Sequence, residues 1–548
     1  MSRVLFTLVL AIALGSTPST GQDLSGQLDA PIAPRLQNLG TLHHPVTTNV
    51  ETAQLFFDQG LRLTYAFNHA EAIRAFREAS RLDPHCAMAY WGEALALGPN
   101  INDPMPHERE LEAYAAIQKA VSLKSRASER EGAYIDALAA RYSNREDADR
   151  AALDAVYARA MGELARRYPD DPDAVTLYGA AIMEAMPWDY WTVDHQPKPG
   201  IADAIAAFES VIASHPDHPG AHHYYIHVVE ASQDPDRGVP SADKLGDLMP
   251  AAGHLVHMPA HIYVRVGRYA DAFEANVRAI AADEDYIAQC QAQGLYPVSY
   301  YPHNVHFLWT AATFEGRSEI AVDSARKLAD KVPHHVLAEF HALEDFLVTP
   351  YYAFVRFGRW GDMLSEPRPA DDLVFTRGIW HYARGISFTA IGQLSRATDE
   401  LSSLEQVSQD PSLEDLIVNL APADEILAIA AKVLAGELHA KRGHFDEAIR
   451  VLEEAVALED RLPYSEPPPW HQPVRHVLGA VLLEAARPAE AELAYRADLE
   501  WNRDNGWSLY GLLQSLRMQG KTAEAAEVQE KFERAWARAD VSLTSSRF

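Results

Sequence analysis

The chain has 548 residues, 48% of them apolar, with 77 acidic against 48 basic side chains and a formal net charge of −29. That length exceeds what one compact core organises, so several domains or a repeat array are expected. The acidic balance repels phosphate backbones and anionic lipid surfaces, which excludes nucleic-acid binding from the expectation and favours a cationic ligand over an anionic one.

At the N-terminus, Arg3 precedes an apolar run from Val4 to Leu14, and small residues follow from Gly15 to Gly21. This is the pattern of a cleavable secretory signal over residues 1–21, too short to span a bilayer. The expectation is a periplasmic or secreted protein, with 22–48 as an extended N-terminal segment. No later run reaches the roughly 18 apolar residues of a membrane span. Two cysteines, Cys86 and Cys290, are as compatible with two buried thiols as with a disulfide in an oxidising compartment.

Alanine is abundant and β-branched runs of strand length are scarce, so the mature chain is expected to be all-α. The clearest unit runs from Ala53 to Cys86, with Gly60, Ala72, Phe76, Ala79 and Pro84 at fixed offsets. Small residues let two helices approach, an aromatic fills the gap between them, and proline stops the second helix. The spacing resembles the tetratricopeptide-repeat (TPR) pattern of about 34 residues. The same register returns at starts near Pro172, Pro219, Gly253, Pro302, Ile429, Gln472 and Gly506. The expected fold is a TPR-type solenoid, or superhelix, of roughly ten or more helical hairpins. Residues 49–345 form its histidine-bearing array and 346–548 a C-terminal array. Three aromatic and proline-rich stretches interrupt the pattern: Met186–Gly200, Tyr296–Pro302 and Pro463–Pro473. Each reads equally as a functional lid or as a cap over apolar surface.

Eight of the 24 histidines fall between His215 and His261, where an even spread would put about two. Counted from the repeat starts, His223 and His257 occupy position 5, and His227 and His261 position 9, one repeat of 34 residues apart. Glu230 completes a stripe with His223 and His227 at helical spacing. His306 takes position 5 of the next repeat, His303 its position 2, and Glu184 position 13 of the repeat starting near Pro172. Neutral imidazoles with a carboxylate suit Zn, Cu or Fe, and an i,i+4 histidine pair completed from an adjacent repeat leaves a coordination position open. The expected metal set is His223, His227, Glu230, His257, His261 and His306. His254, His303, Glu184, Tyr224, Tyr263 and Tyr301 are additional or supporting candidates. Pro259 falls inside a first helix, so a start or kink is expected at Met258, weakening the pairing of His257 with His261. His222 reads as a packed core residue, His215 and His218 as solvated turn residues, and His334, His335 and His341 as structural. Phosphate loops, zinc-protease motifs, serine-hydrolase elbows and Cys-x-x-Cys pairs are missing from the sequence.

The runs Phe67-Asn68-His69-Ala70-Glu71-Ala72, Tyr90 to Asn100, His222 to His227 and Gly253 to Tyr263 resemble those of a group of uncharacterised exported bacterial TPR-domain proteins. The resemblance implies the TPR fold, with positions 2, 5, 9, 12 and 13 of each first helix lining a concave groove, and it transfers no activity. Two functions are therefore expected in parallel. One is a transition-metal site (Cu, Zn or Fe) in the groove, open to catalysis on a small molecule. The other is a metal-free groove that binds an extended peptide or partner helix.

Overall fold

The structure is a computed structural model that describes residues 31–192, 194–290, 296–332, 337 and 341–548. The expected signal over 1–21 lies outside the described residues, as do His334 and His335. The chain divides into two compact units. The first comprises Met1–Ile262 with Arg278–Tyr300, and the second comprises Tyr263–Val277 with Tyr301–Phe548.

Both units are stacks of antiparallel helix pairs, and most helices begin near the expected repeat starts, although the one counted from Ile429 begins at Ala423. In the first unit Glu51–Tyr65 pairs with His69–Leu82, Pro172–Glu184 with Ile201–Ser214, and Pro219–Val229 with Val239–Leu248. In the second, Ala423–Lys441 pairs with Phe445–Glu459, Val474–Glu484 with Pro488–Trp501, and Gly506–Met518 with Thr522–Ala535. Among the described residues the one ladder beyond isolated bridges is a two-residue antiparallel pair, Ile417–Val418 with Ala421–Pro422. No described helix is long and apolar enough to cross a membrane.

The wedge anticipated from the repeat spacing is the packing unit of both stacks. The Phe76 ring is fully buried, and a Cβ added to Gly60 or Gly92 would stand 2.7 or 2.3 Å from it. Glycine at both places lets one aromatic ring seat between three helices. Phe208 repeats this against Gly179, and in the second unit Tyr495 does so against Gly479 and Gly511. The fold is a helical-hairpin solenoid of TPR type.

Residues 31–50 carry no helix and run along the first unit as a bonded strap. Ile32 N–H donates to Glu78, Leu36 N–H to Gln59, and Thr47 N–H and hydroxyl to Glu131. Arg62 Nε donates to the Leu42 carbonyl, and Gln54 Nε2 to that of His44. Cys86 is a buried free thiol, and burial pushes its pKa up to about 11.

Candidate metal centre

The helix Pro219–Val229 starts on a proline, with His218 as its cap: Ala221 N–H donates to His218 Nδ1 at 3.1 Å. Every residue of this helix is buried, so each polar side chain on it must find a partner inside the protein. A Cβ on Gly220 would stand 2.4 Å from the Tyr65 ring, so the glycine admits Tyr65 against the helix. There His223 Nδ1 donates to the Tyr65 carbonyl at 2.7 Å. A carbonyl only accepts, so the proton is on Nδ1 and the lone pair is on Nε2. One turn on, His227 Nδ1 lies 3.1 Å from Glu230 Oε1, which fixes the same tautomer.

The facing helix Gly253–His257 begins where a side chain could not fit: a Cβ on Gly253 would stand 1.8 Å from Asp283 Oδ1. Tyr296 donates its hydroxyl to that carboxylate at 2.7 Å and accepts His254 N–H at 3.2 Å, pinning the helix start. The break at Pro259 is present, separating this helix from Pro259–Arg265. Met258 nevertheless keeps right-handed helical angles, and its N–H still donates to the His254 carbonyl. The expected weakening of the His257/His261 pair is therefore corrected, since the helical path continues through the break. Their Nε2 atoms stand 2.9 Å apart.

Between the two helices, His223 Nε2 stands 3.0 Å from His254 Nε2. Nitrogen atoms of His223, His227 and His254 all lie within 4.8 Å of one another. His227 Nε2 is buried without a hydrogen-bond partner. Glu230 ties the group together, with Oε1 toward His227 and Oε2 at 2.5 Å from His261 Nδ1. Burial, then the neighbouring imidazoles His227 and His261, holds His223 well below the ordinary imidazole pKa. Burial, then His261, does the same to His227. Both are neutral Lewis bases at physiological pH.

Aromatic rings close the group in. Phe67 lies in the turn between the first two helices at φ 55°, a left-handed angle that costs a bulky residue energy. Its ring centroid is 4.4 Å from His223 and 5.3 Å from His254, and it stacks on His227 at 5.9 Å. Trp188, from the stretch Met186–Gly200, sets its ring edge-on to His227 at 5.3 Å while its Nε1 donates to Asn102. Tyr300 meets His254 at 4.8 Å. Behind Phe67, burial brings the His69 pKa down to about 4.

The structure thus brings together His223, His227, Glu230, His257 and His261. His254, expected as an accessory, is central. Of the two pairs expected one repeat apart, His227 and His261 meet with ring centroids at 5.4 Å. His223 meets His254 where His257 was expected, because side chains lean toward their helix N-terminus and the helices cross at an angle. None of these six residues is more than 2% exposed, so the set is enclosed, which corrects the expectation that it lines an open groove.

The remaining candidates divide between the two units. Tyr224 packs its ring on His223 at 5.5 Å. Glu184 is bound to Arg141 at 2.8 Å, with burial lifting its pKa to about 7 against the pull of that guanidinium. His303, His306, Tyr263 and Tyr301 belong to the second unit. There His306 stacks on Trp309, its Nδ1 4.0 Å from Asp345 Oδ2, and burial drives its pKa down to about 3. His303 is edge-on to Phe307, Arg268 covers the Tyr263 ring, and Lys331 covers that of Tyr301. His222 is a bonded core residue as expected, between Ser241 Oγ and the Pro216 carbonyl.

A second cluster was not anticipated. His218, expected in solvent, is buried and donates from Nε2 to Asp173 Oδ1 at 3.1 Å. His44 Nδ1 meets Asp173 Oδ2 at 2.7 Å, and the Tyr65 hydroxyl donates to Oδ1 at 2.7 Å. Burial pulls the His44 pKa down, but the bond and charge of Asp173 outweigh it and leave it raised. Burial also opposes the ionised Asp173, and the bonds from His218 and His44 overcome it, leaving that carboxyl well below its usual range. These residues come from four separate segments, so no local spacing announces them.

No protein-family model matches the chain, and no curated protein matches it. Solved structures align along most of its length. The Cut9–Hcn1 hetero-tetramer of APC/C is 14% identical over 90% of this chain and 78% of that one, with a TM-score of 0.31. A human IFIT1 dimer with m7Gppp-AAAA is 12% identical over 90% and 92%, at 0.32. The TPR domain of P58(IPK) is 13% identical over 86% and 99%, at 0.21. Scores this low carry no argument about this chain.

Proposed function

We propose that the protein is an exported metal-binding TPR protein whose first unit encloses a transition-metal ion on His223, His227 and His254. One observation carries this reading: His227 Nε2 is a neutral imidazole nitrogen, buried and unpartnered, beside two further imidazoles. A buried polar atom left unpaired costs roughly 1–3 kcal/mol, and a metal–nitrogen bond removes that cost. Two imidazole nitrogens on one ion at about 2.0–2.1 Å stand roughly 3–3.4 Å apart, and the His223–His254 separation of 3.0 Å fits. The Tyr65 carbonyl and Glu230 supply the outer bonds that metal-ligating histidines need for orientation. The donor set suits Zn²⁺, Cu²⁺ or Fe²⁺. The aromatic enclosure favours an ion kept from bulk solvent over a surface that grips an extended peptide. Export rests on the signal pattern of residues 1–21.

The test is elemental analysis of the purified chain, as isolated and after reconstitution, beside His227→Ala. At least one equivalent of Zn, Cu or Fe is expected in the parent, lost or strongly reduced in the variant while helicity is kept. A parent that stays metal-free with every ion ends the metal reading.

A further inference from the structure

The donors gathered in the first unit exceed what one tetrahedral ion takes, and they separate into two groups. Glu230 is the divider. One of its oxygens faces His227 Nδ1 and the other faces His261 Nδ1, so each imidazole turns its Nε2 away from the carboxylate. On one side, His227 shares its surroundings with His223 and His254, whose Nε2 atoms are 3.0 Å apart. On the other, His261 Nε2 is 2.9 Å from His257 Nε2. The groups adjoin, with ring centroids 5.4 Å apart for His227 and His261 and 5.9 Å for His254 and His257.

We propose that the centre is dinuclear: a second transition-metal ion binds His257 and His261, and Glu230 stands between the two ions with one carboxylate oxygen facing a ligand of each. This rests on the metal reading above and adds to it the number of ions and the residues of the second. The 2.9 Å separation corresponds to two nitrogens on one ion at an angle near 90°, which leaves coordination positions for water, hydroxide or a small anion. An anionic ligand between the ions suits the charge, because a single buried carboxylate cannot balance two dications. Glu230 stands against both halves: its carboxylate bonds His227 Nδ1 and lies 2.5 Å from His261 Nδ1, so its charge favours the Nδ1–H tautomer of each.

The experiment titrates Cu²⁺ into the chelator-stripped full chain and follows binding by elemental analysis and electron paramagnetic resonance. Two equivalents per chain are expected, with the resonance broadened or lost by coupling between neighbouring ions. In His257→Gln/His261→Gln, one equivalent is expected, with an uncoupled mononuclear spectrum. A parent that saturates at one equivalent overturns the dinuclear proposal and leaves the single-ion reading standing, whatever the variant does. A double variant that keeps two coupled ions also overturns it. A parent that binds no Cu²⁺ or other ion removes both readings together.

Discussion

A single buried side chain shows how burial sets charge in this protein. Asp345 stands in the second unit with Oδ2 4.0 Å from His306 Nδ1, and burial raises its pKa from 3.8 to about 7. The sign follows from which state holds the proton. Below 3.8 both folded and unfolded chains are protonated there, so Asp345 costs nothing. Between 3.8 and about 7 only the unfolded chain ionises freely, so folding stability falls as pH rises, and above about 7 the cost levels off at roughly 4 kcal/mol as an upper estimate. Asp345→Asn should therefore match the parent in urea near pH 4 and exceed it clearly at pH 7.5. Equal gains at both pH values would show that the carboxyl ionises in the fold as it does in water.

At the scale of elements, the two buried clusters of the first unit meet in one residue of the helix Glu51–Tyr65. Tyr65 gives its hydroxyl to Asp173, which begins the helix Pro172–Glu184 with His44 and His218 on its other bonds, and gives its carbonyl to His223. The strap, the first repeat and the helix Pro219–Val229 are thus joined through one carboxylate and one tyrosine. Tyr65→Phe keeps the carbonyl and removes only the hydroxyl bond. It should weaken metal binding measurably, but by less than the roughly tenfold that losing a group bonded directly to a ligating histidine costs, since the carbonyl on His223 stays. Chelator competition measures this, and the Cu²⁺ spectrum separates a displaced His223 from a general loss of stability. Unchanged affinity and spectrum would make the Asp173 cluster a fastening of the strap alone.

The same elements show what was legible in the sequence. Repeat period, helix pairs and the glycine–aromatic wedges could be read because each is a local spacing imposed by helix geometry. Five of the six members of the histidine group lay in that register or on its stripe, and His254 was named only as an additional candidate. Hidden were the facts that depend on how helices cross: that His223 faces His254, and that the group is enclosed. The covering rings were hidden too, since Phe67 acts through a left-handed turn angle and Trp188 from an irregular stretch that no period describes. The His44–Asp173 contact joins residues 129 positions apart, and no spacing rule reaches that far.

On the scale of the whole molecule, metal binding should act on one unit. Every ligand proposed, with Glu230, Phe67 and Tyr65, belongs to the first unit, and the His223–Tyr65 bond joins residues 158 positions apart. An ion there closes that unit's stack through contacts distant in sequence, so opening any part that carries a ligand requires releasing it. A ligand bound only by the folded form stabilises by RT ln(1 + [L]/Kd), about 4 kcal/mol at a thousandfold excess over Kd. Hydrogen exchange compared with and without bound metal should therefore slow in the helices Glu51–Tyr65, Pro172–Glu184, Pro219–Val229 and Gly253–His257. Amides of Ala423–Lys441 through Thr522–Ala535 in the second unit should exchange unchanged. Uniform slowing across both units would mean that they open as one cooperative body, and slowing confined to the second would place the ion outside the histidine group.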